Sequence, residues 1–178
     1  MLPGAAESYW MDWMDWMDSV PATTHPRLDG DAEADAVVVG GGIAGLCTAW
    51  ELQEAGRNVA LLEADRIAAG VTGYTTAKLS ALHTLIYAEL VKSAGADAAR
   101  LYAQSQQQAV ERVAAVAARL GIDCDLERLP AFTYAESADQ VERLRAEADA
   151  AREAGLDASF VTGTGLPFPV AGAVRVED

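Results

Sequence analysis

Three glycines and one glutamate have the residue types and the spacing of a dinucleotide-binding site. Gly40, Gly42 and Gly45 form the pattern Gly-x-Gly-x-x-Gly, and Glu63 follows 23 residues after the first of them. In this pattern the first glycine permits a tight turn, the second lets the backbone approach a pyrophosphate, and the third allows a helix to pack closely on a strand. A carboxylate at position 63 can accept hydrogen bonds from ribose hydroxyls and disfavours a 2′-phosphate, which makes NADP the poorest candidate.

The elements around these residues are the ones that such a site requires. Residues 36–39 are apolar and β-branched, which predicts a buried strand. Residues 43–55 have the apolar spacing of a helix, and Gly56 is a suitable residue just after its end. Residues 58–62 predict a second buried strand that ends at Glu63. The sequence therefore predicts a βαβ unit whose helix N-terminus points free N–H groups at the phosphates.

The chain after Glu63 favours FAD over NAD. A loop rich in glycine and threonine, residues 64–78, is followed by two predicted helices at 82–94 and 97–120. No third buried strand is predicted where an NAD domain would place one. A loop of small and hydroxyl-bearing residues suits a second close approach of the backbone to a cofactor. An NAD-linked dehydrogenase fragment remains the alternative.

The last third of the chain has the pattern of three strands and one helix. Strands are predicted at 124–134, 158–161 and 171–176, with a charged helix at 137–155 between the first two. This segment is interpreted as the beginning of an α+β substrate domain. The predicted fold class is therefore α/β: a Rossmann-like βαβ unit with an incomplete parallel sheet, a helical insertion and the start of a second domain.

The first 34 residues are predicted to be an extension and linker. Trp-Met-Asp occurs three times between Trp10 and Asp18, and this period of three matches neither a helix nor a strand. The repeat is interpreted as a copying event, with an aromatic anchor for a partner or a membrane as the alternative. The predicted domains are thus 1–34, then 35–123 for cofactor binding, then 124–178 for the substrate domain.

Composition and charge exclude several classes of function. The chain has 178 residues, is 51% hydrophobic and carries a net charge of −14, which argues against nucleic acid and anionic membrane as partners. No apolar run approaches the roughly 20 residues of a spanning helix, and no secretory signal is recognised. Cys47 and Cys124 are far apart and lack metal-ligand spacing, so no metal site is predicted. These features predict a soluble, cytoplasmic protein.

Residues 35–90, which contain the glycine motif, resemble FAD-dependent oxidoreductases of the D-amino-acid-oxidase superfamily. The resemblance is greatest to a bacterial subgroup with a C-terminal Rieske iron–sulfur domain. It continues through residues 121–135 and includes the stretch SYWMD at residues 8–12.

By this resemblance the cofactor is FAD, with its pyrophosphate at the glycine turn and its adenosine ribose at Glu63. Lys78 and His83 are further candidates near the cofactor. No acid or base is assigned, because the flavin carries the redox chemistry in such enzymes. The residues assigned to the cofactor are Gly40, Gly42, Ile43, Ala44, Gly45, Glu63, Ala64, Arg66, Thr72, Thr75 and Thr76.

The resemblance implies a flavin-dependent oxidoreductase that removes a hydride from a C–N bond of a small amine or amino acid. Members of the family are much longer than this chain, which is therefore expected to be an N-terminal fragment and inactive alone. A non-catalytic dinucleotide-binding fragment is the alternative. The substrate, the electron acceptor and the oligomeric state are left open.

Overall fold

Two parallel strands and the helix between them contain the glycine motif. A computed structural model describes residues 25–177, in which β1 (Ala36–Val39) leads into α1 (Ile43–Glu54) and then into β2 (Val59–Leu62). The two strands pair in parallel along their whole length. The predicted βαβ unit is therefore confirmed, and so is the α/β fold class.

The prediction that these strands are buried is wrong. Val37 is 57% exposed and Val39 is 83% exposed, and every residue of β2 is only half-buried. Side chains alternate between the faces of a strand, and Val38 lies on the α1 side, beside Gly45. Within this unit one helix covers one face of a sheet of two strands, so Val37 and Val39 are left on the other face.

The remainder of the described chain forms an antiparallel sheet with three helices. The sheet has the strand order β3-β5-β4, and its helices pack on one another and on the strands around a shared core. The elements are α2 (Tyr87–Ala94), α3 (Ala96–Leu120), β3 (Ala131–Ala135), α4 (Val141–Glu153), β4 (Ala158–Val161) and β5 (Gly172–Val176). The predicted helix at 97–120 and the predicted strands at 158–161 and 171–176 are confirmed within a residue, and the helix at 137–155 is α4 preceded by a short 3-10 helix (Ala138–Gln140).

Two predicted elements begin later than expected. The strand predicted at 124–134 begins at Ala131, because its partner strand β5 ends at Val176, which lies opposite Ala131. The helix predicted at 82–94 begins at Tyr87. Leu82 precedes it in a turn, where its N–H donates to the Ser80 hydroxyl oxygen at 2.9 Å.

A buried carboxylate determines where α2 begins. Glu147, on α4, has no exposed surface, and its two oxygens accept the N–H groups of Tyr87 and Ala88, each at 2.8 Å. The Tyr87 hydroxyl donates to the carbonyl oxygen of Ala81 at 2.6 Å. Burial raises the pKa of Tyr87, and Tyr102 and Glu147 raise it further. The first turn of α2 is thus capped by a residue of another helix.

The structure divides into two compact units, one ending at Lys78 and the other beginning at Leu79. The division into two units does not show which residues bind the cofactor or the substrate. The predicted domain boundaries at 34/35 and 123/124 therefore remain predictions. The Trp-Met-Asp repeat lies outside the described residues. Across residues 25–177, no helix has the length and apolar character needed to span a membrane.

Candidate functional site

The turn after β1 depends on glycine at two positions. Gly40 has a φ of +104°, in the region that residues with a Cβ rarely adopt, and its N–H continues the strand pairing by donating to the Leu62 carbonyl at 2.7 Å. A Cβ added to Gly45 would overlap the carbonyl oxygen of Gly40. The first and third glycines of the motif are therefore required by the turn itself and by the packing of α1 on it.

Gly42 is different, because the turn does not require it. Its φ of −82° is ordinary, and a Cβ added there would meet only the Thr72 Oγ1, at 3.3 Å. The missing side chain leaves the backbone surface at the start of α1 open. This is the space that the sequence assigns to a pyrophosphate, and an added side chain would fill it.

The N-terminus of α1 presents N–H groups to this open side. Leu46 is the first residue of α1 whose N–H donates to a backbone carbonyl, that of Gly42 at 2.9 Å. The first turn of α1 contains no acidic side chain, so no residue of the helix itself competes with an anion for the partial positive charge of its N-terminus. Ile43 donates its N–H to the Thr72 Oγ1 at 2.9 Å. The chemistry of these donors fits an anion.

Glu63 is oriented by the glycine turn. Its Oε2 accepts the Gly41 N–H at 2.6 Å, and its Oε1 accepts the Asp65 N–H at 3.0 Å. The N–H of Gly41, followed by that of Asp65, holds the pKa of Glu63 below its ordinary value of 4.5, so the carboxylate is ionised at neutral pH. Each oxygen of a carboxylate has a second lone pair, and Glu63 can therefore still accept hydrogen bonds from two ribose hydroxyls.

Gly41 is a site residue that the sequence analysis missed. A Cβ at Gly41 would lie 2.5 Å from the Cδ1 of Ile67 and 3.2 Å from the Oε2 of Glu63. A side chain there would overlap the tip of Ile67 and crowd the carboxylate that the Gly41 N–H orients. The signal was present in the sequence, since residues 40–42 are three consecutive glycines and the motif itself requires only two of them.

The loop after β2 is attached to the same turn. Ala68 donates its N–H to the Gly41 carbonyl at 3.0 Å, and Gly73 donates to the Ala68 carbonyl at 3.1 Å. Ala68 adopts a φ of +60° to do so. The loop then forms a short 3-10 helix (Val71–Tyr74) that brings Thr72 to the start of α1.

The structure connects the other residues predicted to bind the cofactor less directly to the glycine turn. Ile43 and Ala44 begin α1 and Ala64 follows Glu63, as the motif requires. Arg66, Thr75 and Thr76 are exposed, and within the described residues no side-chain hydrogen bond joins them to the glycine turn. Their assignment to the cofactor remains a prediction, as does that of the exposed Lys78.

His83 belongs to the second compact unit. Its exposed ring has Nδ1 at 3.1 Å from the Tyr102 hydroxyl, and the two rings meet edge to face. His83 lies in a turn before α2 rather than at the start of that helix.

Comparison with known proteins identifies similar chains. The family model described as DAO, FAD dependent oxidoreductase, matches residues 35–178. A protein of Bacillus subtilis (strain 168) named as a Rieske 2Fe-2S iron–sulfur protein, YhfW, is 32% identical over 166 residues, which are 93% of this chain and 31% of that protein. The gamma-glutamylputrescine oxidoreductase of Escherichia coli (strain K12) is 36% identical over 98 residues, which are 55% of this chain and 23% of that enzyme. The chain thus spans a third or less of the length of these relatives.

Proposed function

The chain belongs to the DAO family of FAD-dependent oxidoreductases, and on that premise we propose that its glycine turn and Glu63 bind the ADP half of FAD. The observation that carries this proposal is the bond from the Gly41 N–H to the Glu63 Oε2. It fixes an ionised acceptor for the ribose directly beside the open surface at Gly42 and the free N–H groups of α1. An acceptor for hydroxyls and donors for phosphates thus lie side by side, as the ADP half requires.

The protein's part in the chemistry is binding and orientation. FAD, when bound, supplies the redox step by accepting a hydride from the substrate. Glu63 accepts hydrogen bonds from the ribose hydroxyls. The N-terminus of α1 and the backbone at Gly42 bind the phosphates. No residue of this chain is assigned to proton transfer.

We further propose that the substrate is a small amine or amino acid oxidised at a C–N bond. The name of the Escherichia coli relative, an oxidoreductase of gamma-glutamylputrescine, supports this class of substrate. The activity is proposed for a protein of the length of the relatives, since this chain spans 31% and 23% of the two relatives. We place the protein in the cytoplasm, and its exposed, unbridged cysteines support this location.

A second candidate is a dinucleotide-binding protein without turnover of its own. It is favoured by the sheet of the first unit, which has two strands in the described chain and leaves Val39 83% exposed. The absorbance of bound flavin and a peroxide assay over a panel of amines and amino acids separate the two candidates. Bound flavin without turnover supports the second.

Calorimetric titration of chain 1–178 with ADP, FAD and adenosine tests the proposed site. Glu63→Gln removes the charged acceptor and is expected to weaken adenosine and ADP binding about tenfold or more, because a hydrogen bond to a charged group contributes about 1.5–3 kcal/mol. Glu89→Gln changes an exposed acid on α2 and is expected to leave both affinities unchanged. Equal binding by Glu63→Gln and wild type would remove Glu63 from the site.

A further inference from the structure

The two compact units differ in how much of their apolar surface is buried. Every buried apolar side chain of the described chain lies in the second unit, between Leu82 and Val176. In the described part of the first unit, residues 25–78, Gly41 is the one buried residue, and it has no side chain. Burial of apolar surface is the dominant favourable contribution to folding. The first unit therefore lacks the main source of stability that the second unit has.

The helix and the strands of the first unit are also not stable by themselves. α1 has 12 residues, and none of them is buried. Isolated helices of this length are marginal in water. The sheet beside it has two parallel strands of four residues each, and parallel sheets are normally covered on both faces. Here α1 covers one face, and Val39 on the other face is 83% exposed.

The hydrogen bonds that join distant parts of the first unit are exposed or only partly buried. Three of them connect residues that lie 22 or more positions apart: Gly41 with Glu63, Ile43 with Thr72, and Asn58 with Asp35. A hydrogen bond that water can replace contributes little net free energy. In the second unit, by contrast, Glu147 has no exposed surface where it accepts its two N–H groups. Few buried contacts and solvent-exposed hydrogen bonds are the features of a region that opens locally.

The proposed ligand would contact the same segments that are weakly joined. The proposed function places the phosphates at Gly42 and the start of α1, and it places the ribose at Glu63, which follows β2. One ADP molecule bound in this way connects the turn after β1, the helix and the end of the second strand. A ligand that binds only the closed arrangement stabilises it by an amount that depends on the ligand concentration relative to Kd.

We infer that the first unit is ordered by its ligand: without ligand it opens separately from the second unit and at a lower free energy, and the ADP half of FAD closes it by joining β1, α1 and β2. The inference rests on the proposed function for the identity of the ligand. It adds that ligand binding and the ordering of residues 35–78 are one coupled process. The second unit, which has its own core, keeps its structure in both states.

Amide hydrogen exchange of the full chain 1–178, followed by NMR with and without ADP, tests this inference. Leu46 and Leu90 form a matched pair of amides, one in each unit. Each donates its N–H at 2.9 Å to the carbonyl of the residue that precedes its helix, Gly42 before α1 and Ile86 before α2. After correction for intrinsic rates, Leu46 without ligand is expected to exchange about tenfold or more faster than Leu90.

The effect of the ligand on each unit is the second part of the test. ADP at 100 times its Kd is expected to slow the exchange of Leu46 about 100-fold and to leave that of Leu90 unchanged. Gly42→Val is the control, because its side chain fills the surface assigned to the phosphates. In this variant ADP is expected to leave the exchange of Leu46 unchanged.

Four results would overturn the inference. Equal protection of Leu46 and Leu90 without ligand would show that the two units open together, and so would equal slowing of both amides by ADP. If ADP binds in a calorimetric titration without slowing Leu46, the first unit is closed before binding, and the proposed function is left intact. If ADP does not bind wild type at all, the proposed function fails and the inference fails with it.

Discussion

The main-chain nitrogen of Gly41 lies 2.6 Å from the Oε2 of Glu63, so the residue between two motif glycines orients the acid at the end of the next strand. This bond joins the two parts of the proposed site, which lie 22 residues apart in the sequence. It also affects the charge of the carboxyl, since it is the largest of the causes that lower the pKa of Glu63.

The first prediction concerns this pKa. The Glu63 carboxyl is expected to titrate below 4.5 in the folded chain, because its ionised form accepts the Gly41 and Asp65 N–H groups. A pKa that is lower in the folded state than in the unfolded state stabilises the fold above the unfolded value, and this contribution is lost as the pH falls through the folded value. Carboxyl carbon NMR, with Glu63→Gln for assignment, gives the midpoint. A midpoint at or above 4.5 would contradict the geometry.

The second prediction concerns the packing of α1 on the turn. Gly45→Ala is expected to destabilise the first unit by about 1–3 kcal/mol, because the new methyl group would overlap the Gly40 carbonyl oxygen. Gly70→Ala is the matched control, since nothing lies within 4 Å of its added Cβ, and it is expected to stay within about 0.5 kcal/mol of wild type. Urea denaturation followed by circular dichroism measures both. Equal stability of the two variants would show that a methyl group at position 45 does not overlap the Gly40 carbonyl oxygen.

The third prediction concerns the buried acid of α4. Glu147→Gln is expected to destabilise the second unit by about 1–3 kcal/mol, because an amide can accept only one of the two N–H groups that the carboxylate accepts. Glu142→Gln on the same helix is the control. Its ion pair with Arg145, at 3.8 Å, is exposed and is worth less than about 1 kcal/mol. If both variants unfold at the same urea concentration, Glu147 is not the cap of α2.

The sequence predicted the βαβ unit because its signals are local. Apolar β-branched residues, a helical apolar spacing and glycines at fixed offsets lie within 28 residues, from Asp35 to Leu62. The same local reasoning assigned Glu63, while Thr72 was assigned by the family resemblance, and the structure brings both to the turn. Local patterns suffice where an element and its partner are neighbours in the chain.

Other features could not be predicted because they depend on distant residues. The start of α2 is determined by Glu147, which lies 60 residues after Tyr87, and the start of β3 is determined by the last residue of β5. The burial of β1 depends on what covers its second face. The residues of the strand carry no information about that. Gly41 was missed because its role requires the position of the Glu63 carboxylate.

The most direct test of the central claim is calorimetric titration of ADP into wild type and Gly42→Val. A Cβ at Gly42 would meet only the Thr72 Oγ1, in a tight contact at 3.3 Å that a small shift of this side chain would relieve, but the valine would fill the surface assigned to the pyrophosphate. ADP affinity is expected to fall about tenfold or more, and adenosine affinity is expected to change little. The control is Gly163→Val, at an exposed glycine with open space around it, which is expected to bind ADP as wild type does. Equal ADP affinity in wild type and Gly42→Val would contradict the claim that this turn holds the phosphates of FAD.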